Sequence, residues 1–126
     1  MTVDPPRLFV YGTLQPGHLR WPFLAPFAGR HRPAGVPGLL FDSGLGWPVA
    51  TFLDGDDVVP GTLVDLDPIR ATQALVVLDE VEATATDLLA RVAVTTTDGS
   101  AAWAYQCGRP GPQMSRIGRW VARDER

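Results

Sequence analysis

Residues 8–17 read Leu8-Phe9-Val10-Tyr11-Gly12-Thr13-Leu14-Gln15-Pro16-Gly17, an apolar run that stops at a glycine and turns through small residues to a Pro-Gly pair. The Leu, Phe, Val and Tyr side chains favour extended backbone. Gly12 and Gly17 permit dihedral angles at which consecutive N–H groups point into one concavity, and such a nest binds carboxylate or phosphate without a charged side chain. On these residues alone an ordinary strand and turn fits as well, because glycine-punctuated strands are common.

The length and composition predict one folded domain. The chain has 126 residues, of which 45% are hydrophobic and four are Trp. A chain of this size can bury a substantial core, and a second folded domain is not expected. We therefore predict a single domain over residues 1–126, with residues 109–126 forming a C-terminal tail or a short helix.

The termini and the cysteine content predict a soluble, cytoplasmic protein. Residues 1–7 lack the basic-then-apolar order of a signal peptide, and there is no window of about 18 apolar residues. The single cysteine, Cys107, cannot form an internal disulfide, which agrees with a reducing compartment. Its residue type and isolation favour a small core residue over a nucleophile.

Several function classes are disfavoured by the charged residues. The net charge of −3 gives no general reason to bind nucleic acid or an anionic membrane. All eleven basic residues are Arg, which excludes a Schiff-base lysine and the lysine of a phosphate-binding P-loop. His18 and His31 lack a matching cysteine or carboxylate at ligand spacing, so no metal site is predicted.

The spacing of Pro and Gly predicts a β-rich chain of short elements. Twelve Pro and thirteen Gly divide the sequence into pieces that are often β-branched or aromatic. We predict strands at residues 8–11, 38–41, 49–53, 58–65, 90–96 and 101–106. The Asp98-Gly99 pair between the last two is a hairpin signal.

Apolar residues at helical spacing predict a main helix over residues 68–83. A second short helix is predicted from about residue 114 to 122. There Arg116, Arg119 and Arg123 fall at i, i+3 and i+7, which is typical of a solvated face. The apolar segment Trp21-Pro22-Phe23-Leu24 fits either a pocket wall or the core.

The main helix ends in an acidic cluster, Leu78-Asp79-Glu80-Val81-Glu82, although the whole chain has only three Glu. A partly buried carboxylate near a helix C-terminus faces the negative end of the helix dipole, and both effects raise its pKa. A raised pKa suits a general base that works near neutrality. Solvent-exposed acid on a helix is the simpler alternative.

Taken in order, the motifs resemble the gamma-glutamylcyclotransferase-like family, which includes the gamma-glutamylamine cyclotransferases and the plant avirulence-induced proteins. Tyr11-Gly12-Thr13-Leu14 is similar to the family's signature loop after the first strand, and Leu78-Asp79-Glu80-Val81-Glu82 to its Leu-Asp-x-x-Glu motif. Three further segments agree with later family strands: Gly38 to Val49 with its Trp47-Pro48 step, Val59-Pro60-Gly61-Thr62-Leu63, and the last hairpin.

The resemblance implies an α+β fold, a compact mixed β-barrel-like sheet with flanking short helices. It implies that Glu82 is the catalytic acid/base and that the backbone of Tyr11, Gly12, Thr13 and Leu14 holds the α-carboxylate of a γ-glutamyl substrate. The implied reaction is that of a cyclising transferase or lyase, which forms 5-oxoproline and releases an amine or amino acid. No cofactor and no metal are implied.

Two departures from the family pattern keep a second reading open. A tyrosine that is usual near Leu89 is missing, and Arg119 stands where the family has aspartate in a Gly-Asp-Trp motif. These changes suit a non-catalytic module that binds an acidic small metabolite. Proton transfer by Glu80 or Asp79 on another amide is a third reading. A homodimer is a further expectation, which exposed Trp and Phe side chains would support.

Overall fold

The computed structural model describes residues 6–44, 46–85, 89–107 and 114–120. Within the second range, residues 83–85 are described by their backbone alone. Its strands and helices, in chain order, are β1 (Arg7–Val10), α1 (Trp21–Leu24), β2 (Ala28–Asp42), β3 (Pro48–Phe52), β4 (Val58–Leu66), α2 (Ala71–Ala85), β5 (Leu89–Thr95), β6 (Ala101–Cys107) and β7 (Ser115–Ile117). A single 3-10 turn, Ala25–Phe27, joins α1 to β2.

The strands form one mixed sheet in the order β3-β2-β4-β1-β6-β5, and β7 pairs with β2. The pairing of β1 with β6 is parallel and the other pairings are antiparallel. Side chains join β3 to β6: the Thr51 hydroxyl donates to the Cys107 carbonyl at 2.5 Å, and the Phe52 N–H donates to the Gln106 side chain at 3.2 Å. The sheet therefore curls into a nearly closed barrel, as the family resemblance implied.

The alternation of side chains along β1 divides the core in two. Leu8 and Val10 point to the face that α1 and α2 cover, where Leu24 and Leu78 are also fully buried. On the opposite side Phe9 belongs to a second cluster inside the curled sheet. The sequence run that predicted the first strand therefore serves both halves of the core.

The predicted strands are confirmed apart from shifts of one residue at their ends, with one large exception. β2 begins at Ala28, ten residues before the predicted start. Gly29, Pro33, Gly35 and Pro37 argue for a loop, but this half of β2 pairs with β4, and β3 joins β2 only from Gly38 onward. Proline is tolerated there because one side of the strand needs no ladder partner.

The predicted second helix at residues 114–122 is wrong over its described part. Ser115–Ile117 form β7, which pairs with the end of β2, and Arg116 makes an ion pair of 3.7 Å with Asp57. Arg116 therefore belongs to an extended segment and not to a helical stripe. Residues 109–113 and 121–126 of the predicted tail, including Arg123, lie outside the described residues.

The main helix is confirmed, although it begins at Ala71 and not at Pro68. The preceding residues form a turn in which the Asp67 carboxylate accepts the Ile69 N–H at 3.0 Å. The Asp98-Gly99 hairpin is also confirmed, with Gly99 at a φ of +92° between β5 and β6. No helix within the described ranges is long and apolar enough to cross a membrane.

Candidate functional site

The signature loop, residues 11–14, leaves the end of β1 and is held by its first residue. Tyr11 is buried, and its hydroxyl donates to the Tyr105 carbonyl on β6 at 2.5 Å. Burial raises the pKa of the Tyr11 hydroxyl, and the nearby Glu82 charge raises it further. Tyr11 therefore stays a neutral hydrogen-bond donor that joins the loop to the sheet.

Gly12 is required by a close approach and not by an unusual dihedral angle. A Cβ at this position would lie 2.6 Å from Cγ and 2.8 Å from Cδ of Pro48, the first residue of β3. Gly12 does not have a positive φ, whereas Gly17 has a φ of +83°. The expectation that both glycines supply special dihedral angles therefore holds for Gly17 alone.

Carbonyl groups of the signature loop accept hydrogen bonds from other residues of the protein, whereas the N–H groups of its last three residues donate none to the described residues. The Gly12 carbonyl accepts the Gln15 N–H at 3.1 Å, and the Thr13 carbonyl accepts the Arg20 N–H at 2.7 Å. The N–H groups of Gly12, Thr13 and Leu14 have no acceptor within the part of the chain that the structure describes. Consecutive free N–H groups beside a cleft form an anion-binding concavity.

Glu82 lies on the buried face of α2 because of its helical spacing. It follows the fully buried Ala74 and Leu78 at intervals of four residues, which places all three on one face. Only 8% of Glu82 is exposed. Burial raises the pKa of this carboxyl group, and the Arg20 guanidinium opposes part of that rise.

Arg20 is a charged residue of the site that the sequence analysis missed. It immediately precedes α1, and its Nη1 lies 3.7 Å from Oε2 of Glu82. The four residues after it, which were considered as a pocket wall, do not line the cleft, and Leu24 is buried in the core. Its one signal in the sequence is that it is the first Arg after the signature loop, which does not predict its pairing with Glu82.

These groups meet in one cleft with about 380 Å³ of free space, part of it open to solvent. All four residues of the signature loop line it, together with Arg20 and Glu82. The remaining lining residues are mainly apolar or aromatic: Phe9, Val10, Trp47, Pro48, Leu89 and Tyr105. The structure therefore brings together every residue that the sequence analysis assigned to the site.

The other two acidic residues of the cluster do not line the cleft. Glu80 is exposed on α2. Asp79 accepts the Tyr105 hydroxyl at 2.7 Å and pairs with Arg91 through two contacts of 2.9 and 3.2 Å. Burial raises the pKa of the Tyr105 hydroxyl, and the Asp79 hydrogen bond adds to that rise. Asp79 thus holds α2 against the β5–β6 hairpin.

A metal centre has no support in the described residues. No group of three or more His, Cys, Asp or Glu side chains lies close enough there to hold an ion. His31 packs edge-on against Trp21, and Cys107 is buried in the core.

Comparison with protein families identifies the chain. The model of the family described as "Gamma-glutamyl cyclotransferase, AIG2-like" matches residues 8–122. The chain belongs to this family. The match includes the signature loop, Arg20 and Glu82, and agrees with the resemblance that the sequence motifs indicated. No curated protein sequence matches the chain.

Solved structures with a similar fold come from proteins of mouse, Pyrococcus horikoshii and Bacillus subtilis. An AIG2-like protein from mouse is 20% identical, with a TM-score of 0.68 over 94% of this chain and 90% of that one. PH0828 from Pyrococcus horikoshii is 21% identical, with a TM-score of 0.67 over 90% and 87%. YkqA from Bacillus subtilis is 24% identical, with a TM-score of 0.69 over 91% of this chain, which spans only 39% of YkqA. At these identities the likeness shows the gamma-glutamyl cyclotransferase-like fold alone.

Proposed function

We propose that this family member cyclises a small γ-glutamyl compound to 5-oxoproline and releases an amine or an amino acid. The observation that carries the proposal is the burial of the Glu82 carboxyl group in the wall of a cleft that the signature loop also lines. A buried acid with a raised pKa beside free N–H donors is suited to proton transfer on an anionic substrate.

In this reaction the substrate supplies its own nucleophile. Its α-nitrogen forms a bond to the carbonyl carbon of its own γ-amide (Cδ), the bond from that carbon to the leaving nitrogen breaks, and a five-membered ring closes. The α-ammonium nitrogen loses two protons as it becomes the N–H of the ring, and the leaving nitrogen gains two as it departs as an ammonium group. No water, oxidant or reductant is consumed.

The signature loop has the task of orientation in this mechanism. The free N–H groups of Gly12, Thr13 and Leu14 donate hydrogen bonds to the substrate α-carboxylate. With the carboxylate bound, the flexible γ-glutamyl chain can fold back so that its amine approaches its own γ-carbonyl. Holding reacting groups in this arrangement removes much of the entropic cost of ring closure.

Glu82 has the task of moving protons. A protonated amine has no lone pair, so Glu82 must first accept a proton from the α-ammonium group. The same carboxyl group then returns a proton to the departing nitrogen, and it carries the second proton from the ring nitrogen to the departing nitrogen in the same way. A pKa raised by burial suits both steps, since the group must accept and then donate a proton near neutral pH.

The test is release of 5-oxoproline from a panel of γ-glutamyl amino acids, γ-glutamyl amines and glutathione. Glu82→Gln keeps the size of the side chain and removes its proton transfer, so we expect kcat/KM to fall by about 10²- to 10⁴-fold. Glu80→Gln is the matched control, because Glu80 is an exposed carboxylate two residues away on the same helix. Equal rates in wild type and a folded Glu82→Gln variant would overturn the assignment.

A non-catalytic binding module is the second candidate function. The observation that favours it is that the apolar side chain of Leu89 lines the cleft, because the family pattern has a tyrosine near this position. This candidate predicts that γ-glutamyl compounds raise the melting temperature without turnover, and that Glu82→Gln leaves this stabilisation in place. Release of 5-oxoproline by wild type would exclude it.

A further inference from the structure

Arg20 has a place in the cleft that proton transfer by Glu82 does not explain. Its backbone N–H donates to the Thr13 carbonyl at 2.7 Å, so the start of its side chain is tied to the signature loop. The side chain is 21% exposed and lines the cleft. Arg20 is therefore positioned where a substrate bound by the loop would be within reach.

The guanidinium group of Arg20 has N–H donors that make no hydrogen bond to the described residues. Its 3.7 Å separation from the Glu82 carboxylate is an ion-pair distance, but it is too long for a good hydrogen bond. Within the described residues no acceptor receives a hydrogen bond from the Arg20 side chain, although Arg is a donor suited to bidentate pairing with carboxylates.

Arg20 is also the one cation among the described residues that line the cleft. Arg91 is nearby in the fold, but it pairs with Asp79 and stacks on the Trp103 ring at 4.5 Å from its centroid. A negatively charged group in the cleft that the signature loop does not hold therefore has Arg20 as its cationic partner.

The proposed reaction changes the charge that Arg20 faces. When Glu82 takes the proton of the substrate α-ammonium group, its own negative charge is lost. Arg20 is then a mostly buried cation without an anionic partner, which is unfavourable. A second carboxylate on the substrate would restore the balance, because the first is held by the N–H groups of the signature loop.

We propose that Arg20 selects substrates whose leaving group carries a carboxylate, so that γ-glutamyl amino acids are preferred over γ-glutamyl amines. This inference rests on the proposed function and names its substrate class. The free guanidinium donors bind the carboxylate of the leaving amino acid, while the signature loop binds the carboxylate of the γ-glutamyl part. Arg20 is a specificity residue in this account and transfers no proton.

The experiment compares γ-glutamyl-alanine with γ-glutamyl-ethylamine, which differ only by the leaving-group carboxylate. A charge-assisted contact predicts that wild type has a kcat/KM about 10- to 100-fold higher for the amino acid. Arg20→Gln should remove this preference, mainly by raising KM for γ-glutamyl-alanine. Arg20→Lys keeps the charge and should retain part of the preference.

The control is Arg30→Gln, which removes an exposed arginine on β2 that does not line the cleft. It should leave the preference of wild type unchanged. The melting temperature of each variant shows whether it is folded. If Arg20→Gln does not fold, the substrate preference of Arg20→Lys still tests the proposal.

Three outcomes would overturn the inference, and they are distinguishable. Equal kcat/KM for the two substrates in wild type would reject the carboxylate preference and leave the cyclotransferase proposal standing. Equal losses on both substrates in Arg20→Gln would show that Arg20 acts on Glu82 or on the α-carboxylate. No 5-oxoproline from any substrate with folded wild type would reject the proposed function itself.

Discussion

At the scale of single residues, the site depends on one missing side chain and one buried carboxyl group. Gly12 lets the signature loop lie against Pro48, and Glu82 reaches the cleft because it is four residues beyond Leu78 on the buried face of α2. The sequence could identify both residues as candidates. The partner of each, Pro48 for Gly12 and Arg20 for Glu82, was not predictable from spacing, since both partners are distant in the chain.

Gly12→Ala tests the close approach. The added methyl group would be within 2.8 Å of two ring atoms of Pro48, a residue of limited flexibility. We expect a loss of about 1–3 kcal/mol in the free energy of unfolding, the usual cost of overpacking, and a lower rate of 5-oxoproline release. Urea denaturation measures the first and the panel assay the second.

The matched control for this substitution is Gly118→Ala. Gly118 has no atom within 4 Å of the added Cβ and does not have a positive φ. Its unfolding free energy should stay within about 0.5 kcal/mol of wild type, as is usual for surface substitutions. Equal stabilities of Gly12→Ala and wild type would mean that the loop can move away from Pro48 at no cost.

At the scale of elements, the position of Glu82 depends on how α2 is held against the sheet. The helix packs with Leu8 and Val10 of β1 through its apolar face. One turn before Glu82, Asp79 connects the helix to both strands of the last hairpin, through Tyr105 on β6 and Arg91 on β5. Apolar burial therefore sets the depth of the helix, while Asp79 fixes its position along the hairpin.

A double-mutant cycle of Asp79→Asn and Tyr105→Phe measures this connection. The hydrogen bond of 2.7 Å joins a partly exposed carboxylate to a buried hydroxyl, so solvent screening reduces its strength. We expect a coupling of about 1 kcal/mol in urea denaturation. The Asp79→Asn variant should also release 5-oxoproline more slowly, because α2 carries Glu82.

Asp98→Asn combined with Tyr105→Phe is the control cycle. Asp98 lies at the turn of the same hairpin and contacts Thr96 and Arg32, and it shares no partner with Tyr105. The two substitutions should add within about 0.5 kcal/mol. If the coupling between Asp79→Asn and Tyr105→Phe were as small as in this control cycle, the hydrogen bond between Asp79 and Tyr105 would not hold α2 against the hairpin.

At the scale of the whole molecule, the cleft lies where the two halves of the core meet. Leu14 belongs to the cluster between the sheet and the helices, and Tyr11 belongs to the cluster inside the curled sheet. The signature loop therefore passes from one half to the other, and Glu82 approaches it from the helical side. The expected homodimer stays a prediction, although Phe23 is half exposed.

The buried carboxyl group makes the stability of the whole protein depend on pH. Burial raises the pKa of Glu82 above its ordinary value of about 4.5, so the folded state binds this proton more tightly than the unfolded state. Its contribution is therefore most favourable below pH 4.5 and is lost as the pH rises through the folded-state pKa. Glu82→Gln removes this dependence.

We therefore expect the melting temperature of Glu82→Gln, relative to wild type, to increase between pH 4 and pH 8. The sign is set by burial, which outweighs the opposing effect of Arg20. Melting curves of wild type and Glu82→Gln across that range test it, with Glu80→Gln giving the contribution of an exposed carboxylate on the same helix. A difference that is constant with pH, or that decreases, would contradict it.

Local patterns were sufficient for much of the fold. The run of strand-favouring residues placed β1, the β-branched residues between Pro and Gly breaks placed β4, Asp98-Gly99 placed the last hairpin, and helical spacing placed α2. They failed where pairing decides the conformation. The first half of β2 is a strand despite Pro33 and Pro37 because β4 pairs with it, and Ser115–Ile117 is a strand because it pairs with β2.

The amino-acid sequence alone established which chemical groups the protein carries: a loop with glycines at positions 12 and 17, a rare glutamate at the end of a predicted helix, and no lysine. Only the tertiary structure decided that Glu82 is buried, that Asp79 is used by Tyr105 and Arg91, and that Arg20 lies in the cleft. The reason is physical: residue type and spacing determine local backbone preference, whereas burial and charge pairing depend on segments that folding brings together from distant parts of the chain.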